Sequence, residues 1–457
     1  VFPGQGSQHP RMGAGLYRED AVFREAVDRC AAVLHEPLGY DLRTLMFGGG
    51  EDDAAKLRDT GAAQPAIFTI SYALAKMWQS RGHEPAAMLG HSVGEFVAAT
   101  LAGVFELDDV LRLIARRAQL MRDMPRGGML AVRMAETELA ASLPPQLDLA
   151  AINAPQLCVV SGPQQAVDAF AQELALRETG TVKLHTSHAF HSSMMDAVVP
   201  QFREAVAACK RKAPARQILS SVTGRWMSAQ EATDPEYWAQ QLRRPVRFAP
   251  AVQALLATPG RVLLEVGPGQ ALAGAMRQVA AGQDAVVVSS LPAAQDEGAD
   301  DARHAAEAMA RLWIAGVEAD PARYYAGERR NRIALPGYPF ARVRHWIAPA
   351  ALAAAAPAKT DEVRKQEAAP APAQADEPPV QRQVLEVIRS RSGIALAGAD
   401  LDRNFIELGF DSLLLTQITA QLKQVFNTDL RFRQLLRELA TPRALIADLQ
   451  GNAPVVE

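Results

Sequence analysis

At 457 residues the chain is too long for one small domain and has room for two or three. Its 49% apolar, 22% charged and 6% aromatic content excludes a disordered or fibrous class, and 48 Lys and Arg against 51 Asp and Glu, a net charge of −3, leave no basic footprint for nucleic acid. Cys30, Cys158 and Cys209 are too few and too scattered for a disulfide framework or zinc cluster and read as buried small hydrophobes in a reducing cytoplasm; no run approaches the ~18 apolar residues of a membrane span, and no basic segment leads into an apolar stretch at the N-terminus.

The chain opens at Val1 with VFPGQG, within or at the edge of a strand and without an initiator Met, and reads as a fragment of something longer. Up to about residue 347, strand-like apolar runs alternate with helix-length segments, the pattern of an α/β fold. The first chemical signal is LGHSVGEF, residues 89–96, where Gly90, Ser92 and Gly94 form G-x-S-x-G between an apolar strand (AAMLG) and a helix (EFVAATLAGV). Glycines there let the chain turn sharply and lift the serine hydroxyl to the mouth of the helix, where developing negative charge is favoured. The plainer alternative is a turn whose serine only caps the helix.

Residues 128–191 change rhythm: strand (GMLAVRM), helix (ETELAASL), strands (LDLAAIN, LCVVSG), helix (QQAVDAFAQELALRE), strand (VKLHTSHAF). This β-α-β-β-α-β order is the ferredoxin-like signature, here inserted into the larger unit with a cleft expected at the junction. A serine needs a base, and candidates concentrate in HTSHAFHS as His185, His188 and His191. A strand would splay alternate histidines, and no carboxylate or thiolate sits at ligand spacing, so metal is not expected; at least two of the three read as surface or packed side chains. VGPGQALAG lacks the G-x-G-x-x-G spacing and reads as a strand-to-helix turn, not a nucleotide loop.

Residues 348–379 hold 19 Ala or Pro among 32 positions and read as a flexible linker. Beyond it, residues 380–457 read as a small four-helix bundle: Val384, Leu385 and Ile388 share one helical face, and Leu415, Ile418, Leu422 and Val425 another. This segment carries nine Asp or Glu and nine Lys or Arg, so it is neutral. ELGFDSLLLTQI places Ser412 at a helix start, where Asp411 and Ser412 would serve as ordinary caps if they had no other role.

VFPGQGSQ, GHSVGEF, the Arg in IARRAQLM, HAFHS and LLEVGPG, in this order, resemble the acyltransferase domain of modular polyketide synthases and its relative malonyl-CoA:acyl carrier protein transacylase, over residues 1 to about 320. The resemblance implies an α/β-hydrolase-like large subdomain carrying the ferredoxin-like insertion, followed by a post-acyltransferase segment (321–347, with LPGYPFARVRHWI packing on a ketosynthase). It implies that Ser92 is the nucleophile, His191 its general base, the Gln241 backbone carbonyl the group that orients the histidine, and the Gln5 and Val93 N–H groups the oxyanion hole. By the same resemblance Arg117 would hold a malonyl carboxylate with its planar fork, whereas on sequence chemistry alone, beside Arg112 and Arg116, it reads as a solvated helix residue. Phe190, in a HAFH-type motif, would wall the acyl C2 and favour malonyl over methylmalonyl, as would Val93; Gln64 matches a family motif near the site. The motif around Ser412 resembles the 4′-phosphopantetheine attachment site of acyl carrier domains, a substrate for a separate phosphopantetheinyl transferase. The implied reaction is transfer of malonyl from malonyl-CoA through an acyl-serine to the tethered carrier. A thioester hydrolase on the same Ser-His pair and a non-catalytic docking scaffold are the rival readings.

Overall fold

The computed structural model describes residues 1–337 apart from 49, 294, 295, 297, 327–330 and 332, and residues 379–451 apart from 393–395, 397, 406, 407, 409, 411, 427, 429, 431–433 and 436–438. The linker expected at 348–379, except for residue 379, and most of the segment expected to pack on a ketosynthase lie outside the described residues. The chain divides into two compact units, Val1–Gly337 and Tyr338–Glu457.

The described strands are β1 (Ala87–Leu89), β2 (Gly128–Val132), β3 (Asp148–Ala154), β4 (Leu157–Gly162), β5 (Thr181–Lys183), β6 (Gln217–Leu219), β7 (Val262–Glu265) and β8 (Val286–Ser289). β1 runs parallel to β6, and β7 to β8. The first two residues stitch these pairs together: Phe2 N donates to Leu89 O at 2.8 Å, His91 N to Phe2 O at 2.9 Å, and Val266 N to Val1 O at 2.8 Å. The result is a parallel array whose strands are largely buried.

Helix Thr60–Ser80 is buried along most of its length and packs against helices Ala21–Leu38 and Leu107–Arg122. Its start is set by Asp59, whose side chain accepts from Gly61 N. Helix Leu107–Arg122 has Asp108 and Asp109 in its first turn, where the helix dipole favours acids. Its buried stripe runs through Val110, Leu113, Ile114, Arg117, Ala118 and Met121. These are helical i, i+3, i+4, i+7 positions, so Arg117 is carried into the interior by the same periodicity that buries its apolar neighbours.

The inserted segment forms an antiparallel sheet in the order β3-β4-β2-β5, with helix Gln164–Leu176 against it. It is not a separate body: Ile152 N donates to Val246 O and Val246 N to Ala150 O, and one apolar core joins Leu130, Val160 and Phe170 to Leu89, Leu219 and Phe248. The strand expected through HAFH ends at Lys183. Beyond it, Leu184 N donates once more to Met129 O of β2, Ser187 O accepts from Gly127 N and Thr186 Oγ1 donates to His188 O, and residues 184–191 form a loop without strand. Cys30 and Cys158 are buried as expected, but Cys209 is only half-buried, at the end of helix Val199–Ala208.

In the second unit, helices Pro379–Ser392, Ser412–Phe426 and Pro442–Gly451 and a short 3-10 turn at Gly398–Asp402 are described. They close on Val384, Ile388, Phe405, Phe410, Leu415, Ile418, Leu422, Leu435 and Leu445. Val425, expected on the buried face, is 47% exposed: seven residues after Ile418 it has drifted off the stripe, whereas Leu422 remains on it. Among the described residues no helix is long and apolar enough to cross a membrane, and no group of three or more His, Cys, Asp or Glu could hold a metal ion.

Candidate active site

Ser92 stands between β1 and helix Gly94–Leu101 with φ of 53°. This left-handed backbone costs a non-glycine residue roughly 1–3 kcal/mol and persists only where the surroundings impose it. The two flanking glycines impose it. A Cβ on Gly90 would lie 2.0 Å from Glu95 N, and one on Gly94 2.3 Å from Phe2 O, so the turn closes only because both lack side chains.

His191 is likewise left-handed, at φ 57°, and buried. Its Nδ1 lies 2.9 Å from Arg244 O and its Nε2 2.9 Å from Ser92 Oγ. A carbonyl can only accept, so Nδ1 carries the proton and Nε2 presents its lone pair to the serine hydroxyl. The carbonyl at hydrogen-bond distance from Nδ1 is that of Arg244, and the Gln241 carbonyl, expected in this role, also favours the protonated ring as a second backbone acceptor. Helix Pro235–Gln241 ends in a turn, in which Arg244 N donates to Gln240 O, and this turn carries the later carbonyl to the ring. Burial, then the charges of Arg117 and His91, push the His191 pKa down to about 3, with the Arg244 and Gln241 carbonyls opposing.

Arg117 is 1% exposed, which removes the solvated reading. Its Nη1 donates to Gln64 Oε1 at 2.5 Å and its Nη2 to Ser92 Oγ at 3.3 Å, with Gln241 Oε1 3.5 Å from Nη2. Nε is buried without a partner. Burial lowers its pKa to about 9 and the Glu95 charge pulls it back up, so it remains a cation at neutral pH. Among the described residues it makes no salt bridge to a carboxylate. A buried guanidinium in this state is poised for an anion.

Gln64 is 1% exposed, and its Nε2 lies 3.3 Å from Gln5 Oε1; Gln5 Nε2 in turn donates to Thr60 Oγ1 at 3.2 Å. The backbone N–H groups of Gln5 and Val93 donate to no acceptor among the described residues. Val93 is itself only 1% exposed, an unusual state for a buried amide. Phe190 is 6% exposed, and its carbonyl accepts from Ser161 Oγ at 2.8 Å, tying the histidine loop to β4. His185 is exposed; His188 is buried with Nδ1 2.8 Å from Ser187 Oγ.

Three participants were missed in the sequence. Glu95 is fully buried, and burial raises its pKa although Ser221, Tyr237 and Gln241 all donate to it. His91 Nε2 lies 2.9 Å from Asn153 Oδ1, linking the serine turn to β3 of the inserted sheet. Arg244 contributes only a backbone atom. An acid inside an otherwise apolar helix, EFVAATL, was a readable signal for Glu95; nothing in the pattern marked the other two.

Two family models match this chain: "acyl transferase domain" over residues 1–319 and "phosphopantetheine attachment site" over residues 382–449. The chain belongs to the acyl transferase domain family and carries a phosphopantetheine-attachment domain behind it. Its curated relatives are polyketide synthases. The phenolphthiocerol synthesis polyketide synthase type I Pks15/1 of Mycobacterium marinum is 39% identical over 353 residues, 77% of this chain and 16% of that protein. Polyketide synthase GfsA of Streptomyces halstedii is 34% identical over 440 residues, 92% of this chain and 6% of that protein. The chain thus spans less than a quarter of the length of these relatives. Among solved structures, the acyl transferase domain of SpnD, in complex with 2-(pent-4-yn-1-yl)malonyl, is 38% identical with TM-score 0.66, covering 69% of this chain and 76% of that one. The malonyl-CoA:acyl carrier protein transacylase of Xanthomonas oryzae is 31% identical with TM-score 0.59, covering 68% of this chain and 96% of that one.

Proposed function

We propose that the chain is a polyketide synthase segment that loads a malonyl unit from malonyl-CoA onto Ser92 and passes it to the carrier domain on the same chain. The observation that carries this reading is the position of the Ser92 hydroxyl, 2.9 Å from His191 Nε2 and 3.3 Å from the buried Arg117 guanidinium: a nucleophile, its base and a site for a carboxylate within one side chain's reach. The four-stranded insertion is read as the ferredoxin-like subdomain whose loop supplies the base.

In this mechanism His191 Nε2 takes the Ser92 proton as Oγ attacks the thioester carbonyl. The Gln5 and Val93 N–H groups receive the oxygen as it becomes anionic, and the Arg244 carbonyl stabilises the imidazolium through Nδ1–H. The protonated ring, a strong acid because of its low pKa, returns the proton to the departing CoA sulfur. A malonyl carboxylate paired with Arg117 offsets the charge that most strongly suppresses His191 after burial itself, so the base strengthens when an acidic acyl group is bound. Phe190, beside the base, limits room at the acyl C2.

Ser412 is the first residue of a 15-residue helix, and a helix N-terminus suits the phosphodiester that 4′-phosphopantetheine would place there. That group supplies the accepting thiol. His191, regenerated as a neutral ring, is the base available for the acceptor's proton and hands it to Ser92 Oγ as the bond from Oγ to the acyl carbon breaks; water is the competing acceptor that a hydrolase would use. A phosphopantetheinyl transferase modifies Ser412, and a ketosynthase uses the loaded carrier.

Intact-protein mass spectrometry after exposure to malonyl-CoA and methylmalonyl-CoA in competition tests the reading. A malonyl adduct that vanishes in Ser92→Ala supports it. Absence of any adduct leaves only a scaffold, and an adduct released to water faster than to the carrier indicates a hydrolase.

A further inference from the structure

The side chain of Gln241 has no part in the mechanism above, yet it is 1% exposed and touches three of the groups that matter. Its Nε2 donates to Ser92 O at 2.6 Å and to Glu95 Oε2 at 3.1 Å, while Oε1 faces Arg117 Nη2 at 3.5 Å. Glu95 in turn is held by Ser221 N at 3.0 Å, Ser221 Oγ at 2.5 Å and Tyr237 OH at 2.5 Å. A backbone carbonyl accepts and never donates, so Ser92 O takes an N–H of the Gln241 amide, and Glu95 Oε2 lies on the same nitrogen. That fixes the NH2 group and leaves the amide oxygen turned to the guanidinium.

We infer that Glu95 and the Gln241 side chain form a positioning relay that aims Arg117 at the acyl carboxylate while keeping a direct counter-ion away from it. The inference rests on the malonyl-selecting role proposed for Arg117. A carboxylate touching Arg117 would occupy the fork that the substrate needs, and a guanidinium with no negative charge nearby would be costly to bury. An interposed amide meets both demands: Glu95 lends its charge at a distance, and the amide oxygen orients the cation without saturating it. The same amide pins the Ser92 carbonyl in the strained turn, so nucleophile and cation share one support.

Glu95 and Gln241 touch neither substrate nor reacting atoms, so the test needs a readout that general loosening would not move. Single-turnover acylation of Ser92 is measured by mass for malonyl-CoA and for acetyl-CoA, which lacks the carboxylate. For Glu95→Gln, which removes the charge lent to Arg117 while the Ser92 carbonyl still holds the Gln241 amide, malonyl acylation is expected to fall about tenfold or more, mainly through a weaker half-saturation, with acetyl acylation within about threefold of wild type. If both fall equally, or the malonyl-to-acetyl ratio is unchanged, the relay is wrong. Should Glu95→Gln not fold, Gln241→Met gives the same comparison: both substrates slow because the serine turn loses its pin, and malonyl must lose the more; equal loss overturns the inference. Wild type is run alongside, and failure of the wild-type protein to form a malonyl-serine would reject the malonyl-transfer reading itself, an outcome separable from any change in ratio.

Discussion

Ser92 and His191 meet at 2.9 Å, and each reaches that contact from a left-handed backbone, at φ 53° and 57°. Both halves of the pair therefore sit on strained loops held in place by neighbours: the Gly90 and Gly94 turn on one side, and the Arg244 and Ser161 bonds on the other.

The first expectation concerns that turn. Gly90→Ala places a methyl 2.0 Å from Glu95 N, backbone against backbone with no flexible side chain to yield. It should cost more than ~3 kcal/mol and give a clear fall in melting temperature or loss of the folded acyltransferase unit, whereas Gly274→Ala, inside helix Ala271–Val279 with nothing within 4 Å, should melt at or slightly above wild type.

On the proposed mechanism, His191→Ala should slow Ser92 acylation by ~10²–10⁴ with little change in melting temperature. Mass-detected single turnovers would show this. Loss of less than about threefold would assign the proton to another group.

Arg117 separates substrates. Arg117→Ala should depress malonyl acylation by about 10²-fold, the value of a lost charge-assisted pair, and raise the share of acetyl in a competition of the two thioesters. Arg117→Lys should not restore malonyl, because an ammonium lacks the planar fork that meets both Gln64 and a carboxylate. An unchanged malonyl share in Arg117→Ala would remove the carboxylate-binding assignment.

pH dependence has a defined sign. With its pKa pushed down to about 3, His191 stays neutral in the folded protein, while in the unfolded chain it titrates near 6.5. Between about 6.5 and 3 the unfolded state binds the extra proton, so this residue makes the fold less stable as pH falls through that window. His191→Gln should lessen the drop in melting temperature between pH 7 and 5. For acylation, the acid limb should lie well below pH 6, and lower for acetyl-CoA than for malonyl-CoA, whose carboxylate relieves the Arg117 charge.

The carrier side is checked at Ser412. Incubation with CoA and a phosphopantetheinyl transferase should add one phosphopantetheine to the wild type and none to Ser412→Ala. Since residues 380–457 balance nine acids with nine bases, steering of the separated carrier to the acyltransferase should be weak, with the tether's effective concentration compensating. Fast, steeply salt-dependent loading in trans would contradict this.

What the sequence by itself determined was whatever depends on local order. G-x-S-x-G between a strand and a helix marked Ser92 because turn chemistry is written in adjacent residues, HTSHAFHS narrowed the base to three histidines, and the five ordered motifs marked the family resemblance that singled out His191. The alternation of strands and helices from residue 128 was legible for the same reason, except that the last strand ends at Lys183. The tertiary structure decided what depends on meetings between distant segments. It added the Arg244 carbonyl to that of Gln241 at His191, since the turn that ends the helix brings a second backbone oxygen to the ring. It settled Arg117 as buried although arginines surround it in sequence, because the helix stripe and not the local charge sets the direction of the side chain. It assembled Glu95, Tyr237 and Gln241 around the serine turn from elements more than 140 residues apart. Hydrogen bonds of that span leave no periodic trace in a chain; they are fixed only when the sheet and its covering helices have packed.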